Sequence, residues 1–176
     1  PFPGPFVSPG DPRIFDNTVV LGIGVPKKSH VNDLSKPRSS GDEWGAEILR
    51  RMMEPFGWKV ETIYFDSNLS YHIDCVMSVL DEGLLAAPKG SLWTELPKEF
   101  RDWEIMDVSL DECKMGICNN VPLGNKRIII HEGSKKFIKD LEKRGWECIE
   151  VPYSTIYGKI GSGVHCSTAS IWREFD

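Results

Sequence analysis

The feature that most constrains this 176-residue sequence is a repeated order of short apolar segments. Strand-like runs are followed by turns, then by a helical segment or a long loop, and then by another strand. This order recurs at intervals of roughly 50 residues, and such self-similarity is typical of propeller-like arrays. The sequence therefore predicts an α/β protein of repeated ββαβ modules, with about three modules in this chain.

The third module shows this order most clearly. Two strand patterns surround a turn at residues 122–125, and the pattern that follows has apolar positions at helical spacing. Gly145 then ends the helix. The predicted elements are strands at 115–121 and 127–131, a helix capped by Ser134 with Phe137, Ile138 and Leu141 facing inward, and a strand at 146–152.

The first two modules are predicted from the same patterns. Asp42 opens the first helix, where Trp44, Ile48 and Met52 fall on one face and predict a buried apolar stripe. The proline-rich residues 1–13 are expected to form an irregular arm. The other predicted elements are strands at 19–25, 58–65, 71–80, 84–87 and 103–108, a polar loop at 26–42 and a short helix around 94–100.

Charge and composition exclude several classes of partner. The net charge of −5 and the pI near 5.4 argue against nucleic acid and against an anionic membrane surface. No apolar run approaches the roughly 18 residues that a bilayer span requires. The sequence also does not open with a secretory signal segment. A cytoplasmic protein is expected from the cysteines, whose odd number and irregular spacing indicate reduced thiols.

The five cysteines indicate reduced thiols, because their number is odd and their spacing is irregular. Cys113 and Cys118 have the spacing of half a metal site, but no second pair follows them, so no metal is predicted. The sequence also lacks a phosphate-binding loop and a nucleotide fingerprint, and no organic cofactor is predicted.

Two short motifs carry the candidate chemistry. In residues 161–166, Gly-Ser-Gly-Val-His-Cys, a glycine turn delivers Cys166 to the start of a new segment. Backbone N–H groups beside that sulfur would favour the thiolate, whereas the alternative reading is a buried, inert cysteine. In the predicted strand 71–80, His72 and Asp74 would point to one face. An imidazole beside a carboxylate can act as a general acid/base and as an anchor for a cation.

Together, His72-Ile73-Asp74 and the Gly-x-Gly-x-His-Cys motif that ends at Cys166 resemble the guanidino-group-modifying superfamily. This superfamily contains amidinotransferases, arginine and agmatine deiminases, and dimethylarginine dimethylaminohydrolases. Residues 115–120 match a further family segment. The resemblance implies the pentein fold, an α/β propeller of ββαβ modules. Because the full fold has more modules than this chain, residues 1–176 are expected to form one domain that corresponds to its C-terminal part.

The resemblance also implies roles for individual residues. Cys166 would be the nucleophile that attacks the guanidinium carbon of an arginine-type donor, and His72 would be the acid/base. Asp74 would grip the guanidinium by paired hydrogen bonds. Asn119 lies in the further family segment and is expected to contact the substrate. Because a guanidinium stays protonated in water, carboxylates must hold and polarise it before its carbon is attacked.

A second acidic substrate ligand is expected from the resemblance, and two positions compete for it. The family segment acid-Gly-Gly-Asp corresponds best to residues 8–11, where Ser8 replaces the acid and Asp11 matches the final aspartate. Another register assigns the acidic role to Asp16. Asp11 and Asp16 therefore stand as alternatives, and the substrate need not be arginine itself if neither reaches the site.

The resemblance implies a cysteine-dependent enzyme that forms a covalent amidino intermediate and passes it to an amine acceptor, as amidinotransferases do. The first alternative is hydrolysis with water as the acceptor, as in the deiminases and dimethylarginine hydrolases. The second is a non-catalytic pentein binding module. The expected partners are a small guanidino substrate, an amine acceptor, and an N-terminal fragment or a further copy of the chain. Nucleic acid and membranes are not expected.

Overall fold

The computed structural model of the chain describes residues 5, 7, 10, 12–15, 17–25, 41–156 and 162–169. Within these residues, nine strands form three three-stranded sheets. In each sheet the first strand pairs antiparallel with the middle strand, and the third strand pairs parallel with it. This recurrence confirms the prediction of repeated modules.

The sheets follow the order of the chain. Helix α1 makes the crossover between the parallel strands of the first sheet, and helix α3 does so in the third. A crossover is required because parallel neighbours cannot be joined by a hairpin. The strands are β1 (Pro12–Phe15), β2 (Thr18–Val25), β3 (Lys59–Asp66), β4 (Ser78–Asp81), β5 (Leu84–Ala87), β6 (Glu104–Asp107), β7 (Val121–Gly124), β8 (Arg127–His131) and β9 (Glu147–Val151). The helices are α1 (Glu43–Met53), α2 (Leu110–Lys114) and α3 (Lys135–Glu142).

Neighbouring modules share apolar cores. One cluster joins side chains of the first and second sheets, and another joins side chains of the second and third. Strand β5 contributes to both clusters, because Leu85 lies in the first and Ala86 in the second, as the alternation of a strand requires. The predicted inward face of α3, which is Phe137, Ile138 and Leu141, is buried in the second cluster.

Helix α1 begins after Asp42, as predicted, and the Asp42 carboxylate accepts a hydrogen bond from the Gly45 N–H at 2.6 Å. The predicted buried stripe is wrong, since Trp44 is 61% exposed and Met52 is 62% exposed. Ile48 is also exposed. The helix instead buries Gly45 and Ala46, and the small Ala46 side chain packs against the apolar side chains of β2. Helical periodicity was therefore recognisable, but not the face that packs.

The irregular arm predicted for residues 1–13 is wrong at its end. Pro12 and Arg13 begin strand β1, in which Pro12 lies opposite Leu21 of β2. A proline has no N–H to donate, so it is tolerated at the start of an edge strand such as this one. Residues 26–40 of the loop predicted at 26–42 lie outside the described residues.

The strand predicted at 71–80 is also wrong over its first half. The chain makes one 3-10 turn at Ile73–Cys75, closed by a hydrogen bond from the Val76 N–H to the Ile73 carbonyl at 2.8 Å, and β4 starts only at Ser78. Ile73 is fully buried against Gly22 of β2, where a Cβ would overlap the Ile73 side chain. This contact between distant segments favours the turn over an extended strand.

Two more segments differ from prediction for local reasons. The strand expected at 115–121 is preceded by α2 and is mostly turn, because the chain reverses through Gly116 with φ 86. The hairpin turn expected at 122–125 falls at Asn125 and Lys126, both with positive φ, as a tight two-residue turn requires. The helix expected around 94–100 is reduced to one 3-10 turn at Lys98–Phe100 behind Pro97. None of the described helices has the length and apolar character needed to cross a bilayer.

A buried carboxylate links the two helices of the third module. Ser134 was expected to cap α3, but its hydroxyl donates to Glu112 at 2.8 Å, and the Glu112 carboxylate accepts the Phe137 N–H at 3.2 Å. Glu112 also completes the capping box of α2 with Ser109. Burial raises the pKa of Glu112, but hydrogen bonds from Ser109, Ser134 and Phe137 outweigh it and hold the pKa below its usual range.

The variant Glu112→Gln should lose about 2 kcal/mol of unfolding free energy at neutral pH, because the charged acceptor of several buried hydrogen bonds is removed. Urea unfolding measures this loss. Glu142→Gln, at an exposed position of the same module, should change the free energy by less than about 0.5 kcal/mol. An equal loss in both variants would contradict the capping role of Glu112.

The contribution of Glu112 should depend on pH in a defined direction. Its folded pKa is lowered, so its stabilisation is complete above the unfolded pKa of about 4.3 and is lost as the pH falls through the folded value. The difference in unfolding free energy between wild type and Glu112→Gln should therefore be constant from pH 6 to 8 and should shrink on acidification. A difference that grew below about pH 4 would be the opposite result.

Candidate active site

Two distant turns bring three reactive side chains together. Asp74 lies in the 3-10 turn before β4, His72 directly precedes that turn, and Cys166 lies in a second 3-10 turn at His165–Ser167. One nitrogen, one oxygen and one sulfur atom of these three residues all lie within 4.8 Å of one another. The expectation that His72 and Asp74 share one face of a strand is wrong, but the turn still brings them to one place.

Asp74 lies at the centre of this cluster. Its side chain is 2% exposed, and its Oδ2 atom accepts from the Cys166 thiol at 3.2 Å. The same oxygen lies 3.2 Å from Nη2 of Arg13 and 3.3 Å from Nδ1 of His165. The other oxygen, Oδ1, is buried, and among the described residues no donor reaches it. One oxygen of the carboxylate is thus crowded, while the other is left without a hydrogen bond.

Asn119 fixes the position of the cysteine. Its Nδ2 donates to Sγ of Cys166 at 3.1 Å and to Sγ of Cys75 at 3.3 Å, and its Oδ1 accepts the Cys166 N–H at 3.0 Å. The Asn119 carbonyl accepts the His165 N–H at 3.1 Å. Gly163 is required beside it, because a Cβ at that position would overlap the Asn119 side chain. The described side-chain contacts of Asn119 are therefore with Cys166 and Cys75, and a contact with substrate stays a prediction.

The surroundings of Cys166 favour its thiolate. A hydrogen bond from the Cys75 thiol is the largest cause, and bonds from His72, Asn119 and the Gly163 backbone add to it, so that the pKa of Cys166 falls far below its usual range although burial opposes the shift. The pKa of Cys75 rises, because its proton is held between the two sulfurs and its side chain is buried. Cys75 thus remains a thiol that donates to its neighbour.

One contact acts in the opposite direction. A thiolate at Cys166 and the carboxylate of Asp74 would repel each other at 3.2 Å, and the thiol form donates to that carboxylate instead. The guanidinium of Arg13 on the same carboxylate oxygen reduces this repulsion. The protonation state of Cys166 therefore depends on which cation accompanies Asp74.

His72 is held by its neighbours on two sides. Its ring lies 4.9 Å from the ring of Tyr71, and a Cβ at Gly10 would lie 2.5 Å from its Cγ atom. The glycine thus lets the chain before β1 pass directly over the imidazole. Asp11 and Asp16, the two candidates for a further acidic ligand, lie outside the described residues.

Three residues at this site were missed by the sequence reasoning. Arg13 has no local signal, because it lies in a segment expected to be irregular. Cys75 directly follows Asp74, and His165 belongs to the cysteine motif, so adjacency alone could have drawn attention to both.

The cluster of His72, Asp74 and Cys166 also has the donor types of a zinc site. The Arg13 guanidinium already lies against Asp74, and a second cation there would be repelled.

Neither a family model nor a curated protein sequence matches this chain. Among solved structures, an amidinotransferase of saxitoxin biosynthesis from Microseira wollei is similar with a TM-score of 0.73 and 18% identity, over 95% of this chain and 48% of that one. The inosamine-phosphate amidinotransferase from Streptomyces griseus matches with a TM-score of 0.73 and 19% identity, over 98% of this chain and 48% of that one.

A dimethylarginine dimethylaminohydrolase from Pseudomonas aeruginosa, solved with citrulline, matches with a TM-score of 0.66 and 20% identity, over 90% of this chain and 55% of that one. This chain spans about half the length of each of these proteins. Its three modules match about half of the pentein fold that these amidinotransferases and this hydrolase share.

Proposed function

We propose that this chain carries the reaction centre of a cysteine-dependent, guanidino-group-modifying enzyme that transfers the amidino group of an arginine-type donor to an amine acceptor. The observation that carries the proposal is the meeting of sulfur, carboxylate and imidazole atoms of Cys166, Asp74 and His72 within 4.8 Å. A nucleophile, an anchor for a cation and a proton carrier are the groups that this chemistry needs.

The proposed reaction has two steps through one covalent intermediate. The Cys166 thiolate attacks the guanidinium carbon of the donor, the bond from that carbon to the alkyl-bearing nitrogen breaks, and His72 gives a proton to the departing amine. An amidino group then remains on sulfur. The acceptor amine attacks this carbon, His72 accepts a proton from the attacking nitrogen, and the bond from carbon to sulfur breaks to release the thiolate. With arginine as the donor, the first product is ornithine.

Asp74 suits the role of guanidinium anchor. A guanidinium presents pairs of parallel N–H groups that match the two oxygens of one carboxylate. The buried Oδ1 atom of Asp74 lacks a donor among the described residues, so a ligand could supply one. An unmet buried acceptor is unfavourable by about 1–3 kcal/mol, and a bound guanidinium would recover that free energy.

Transfer is preferred over hydrolysis because His72-Ile73-Asp74 and the His165-Cys166 pair resemble the amidinotransferases more than the dimethylarginine hydrolases. Both outcomes use the same covalent step and differ in whether an amine or water resolves the intermediate. The identity of the products therefore decides between them.

Incubation of the protein with arginine and a panel of primary amines should yield ornithine and an amidinated amine, detected by mass spectrometry. Cys166→Ser should yield neither product. Asp74→Asn should lower kcat/KM by about 10- to 100-fold through loss of charged hydrogen bonds, whereas Asp140→Asn on the outer face of α3 should not. Citrulline and ammonia would instead establish hydrolysis, and the absence of turnover with every donor and acceptor would leave a binding module.

The role of Cys75 can be measured without substrate. Wild-type Cys166 should react with iodoacetamide already at acidic pH, whereas burial raises the pKa of Cys148 to about 11 and should delay its alkylation to alkaline pH. Cys75→Ser keeps a hydrogen-bond donor beside Cys166 and should retain the wild-type profile. Cys75→Ala should move the alkylation of Cys166 to higher pH. Equal profiles for Ser and Ala would contradict a donor role for Cys75.

A further inference from the structure

Arg13 occupies an unexpected place for a residue of an edge strand. Its side chain is 13% exposed, and its Nη2 atom lies 3.2 Å from Oδ2 of Asp74. Nη1 donates to the Pro12 carbonyl at 3.1 Å, and Nη2 reaches the Gly10 carbonyl at 3.4 Å. The guanidinium is thus attached to the chain by contacts near β1 and points into the cluster around the cysteine.

The chemistry of this contact duplicates the proposed binding of substrate. Asp74 is the carboxylate to which the proposed function assigns a substrate guanidinium, and Arg13 brings the same planar, forked cation to it. A substrate guanidinium that is gripped by both carboxylate oxygens needs Oδ2, and Nη2 of Arg13 already lies 3.2 Å from that atom. Arg13 and a substrate therefore compete for Asp74.

We infer that Arg13 is an internal occupant of the guanidinium subsite, which pairs with Asp74 in the unliganded protein and is displaced by a guanidino substrate. The inference rests on the proposed function for the identity of the ligand. It adds a determinant of affinity and specificity that comes from this chain's own β1.

The exchange of one guanidinium for another leaves the net charge at Asp74 unchanged. Asp74 is 2% exposed, and a buried carboxylate without a cation would be unfavourable by several kcal/mol. Arg13 neutralises it until substrate arrives, and rotation about side-chain bonds is enough to withdraw the cation while β1 stays paired with β2. A neutral ureido compound cannot replace Arg13, since it would leave the carboxylate without a charge partner. Arg13 should therefore make the site selective for cationic ligands.

The experiment measures binding in a Cys166→Ser background, which prevents turnover. Isothermal titration with L-arginine and with methylguanidinium chloride should give a dissociation constant about tenfold lower after Arg13→Gln, as expected when the internal occupant fills the subsite about 90% of the time. Arg13→Lys keeps a positive charge but loses the fork, so it should also bind methylguanidinium more tightly than the background, by a smaller factor. If Arg13→Gln fails to fold, Arg13→Lys can be measured in its place, because its positive charge still neutralises Asp74.

Arg144→Gln is the matched control, because Arg144 forms an exposed ion pair with Glu104 on β6. Its dissociation constants should equal those of the background. Unchanged or weaker binding after both substitutions of Arg13 would overturn the inference and make Arg13 a fixed counter-ion of Asp74. The proposed function fails separately, when the protein with Cys166 intact turns over no guanidino donor. Tighter binding without turnover would thus support the inference about Arg13 and contradict the proposed enzymatic function. Turnover with unchanged binding would support the proposed function and contradict the inference about Arg13.

Discussion

A negative charge buried at Asp74 is the constraint on which the arrangement of this site depends. A carboxylate that is 2% exposed must be given cations or hydrogen-bond donors, because an isolated buried ion is unfavourable by several kcal/mol. Its partners come from two distant parts of the chain: Arg13 from β1, and His165 and Cys166 from the segment after β9. The need to satisfy one carboxylate thereby connects the first module to the end of the described chain.

Cys166 owes its position to a different set of contacts, centred on the side-chain amide of Asn119. Asn119 uses both its side chain and its carbonyl on residues 165 and 166, and its acceptor oxygen is fixed by the Cys166 N–H. The amide nitrogen must then face the sulfur. Asn119 follows the turn at Gly116, which in turn follows α2, whose capping residue Glu112 also holds the start of α3. The hydrogen bonds that order the third module therefore extend to the reactive sulfur.

The sequence alone predicted what depends on local patterns. The strands that became β2, β5 and β8, the inward face of α3 and the order of the modules all follow from alternation and helical spacing of apolar residues. The errors occur where a contact between segments distant in the sequence determines the local backbone structure or the buried face of a helix. Ile73 turns because it packs on Gly22, and α1 buries Gly45 and Ala46 because small residues permit close packing. No local pattern contains either contact.

The residues of the site can be divided in the same way, into those that local motifs indicated and those that only distant contacts reveal. The motifs that contain His72, Asp74 and Cys166 drew attention to residues that the fold brings within 4.8 Å, although the backbone between the first two was predicted wrongly. Arg13 could not be found in this way, because its importance comes from the pairing of β1 with β2 and from the carboxylate that this pairing lets it reach.

The charges around the Cys166 sulfur determine whether it is a thiol or a thiolate beside the carboxylate of Asp74. With no cation on Asp74, the carboxylate would favour the thiol of Cys166, which donates to it at 3.2 Å. A guanidinium on Asp74 cancels that effect, and the donors Cys75 and Asn119 can then stabilise the thiolate. Arg13 already supplies such a guanidinium, and a thiolate at Cys166 is then compatible with the neighbouring carboxylate. The protonation of Cys166 therefore depends on the cation that Asp74 holds, which in this structure is the guanidinium of Arg13.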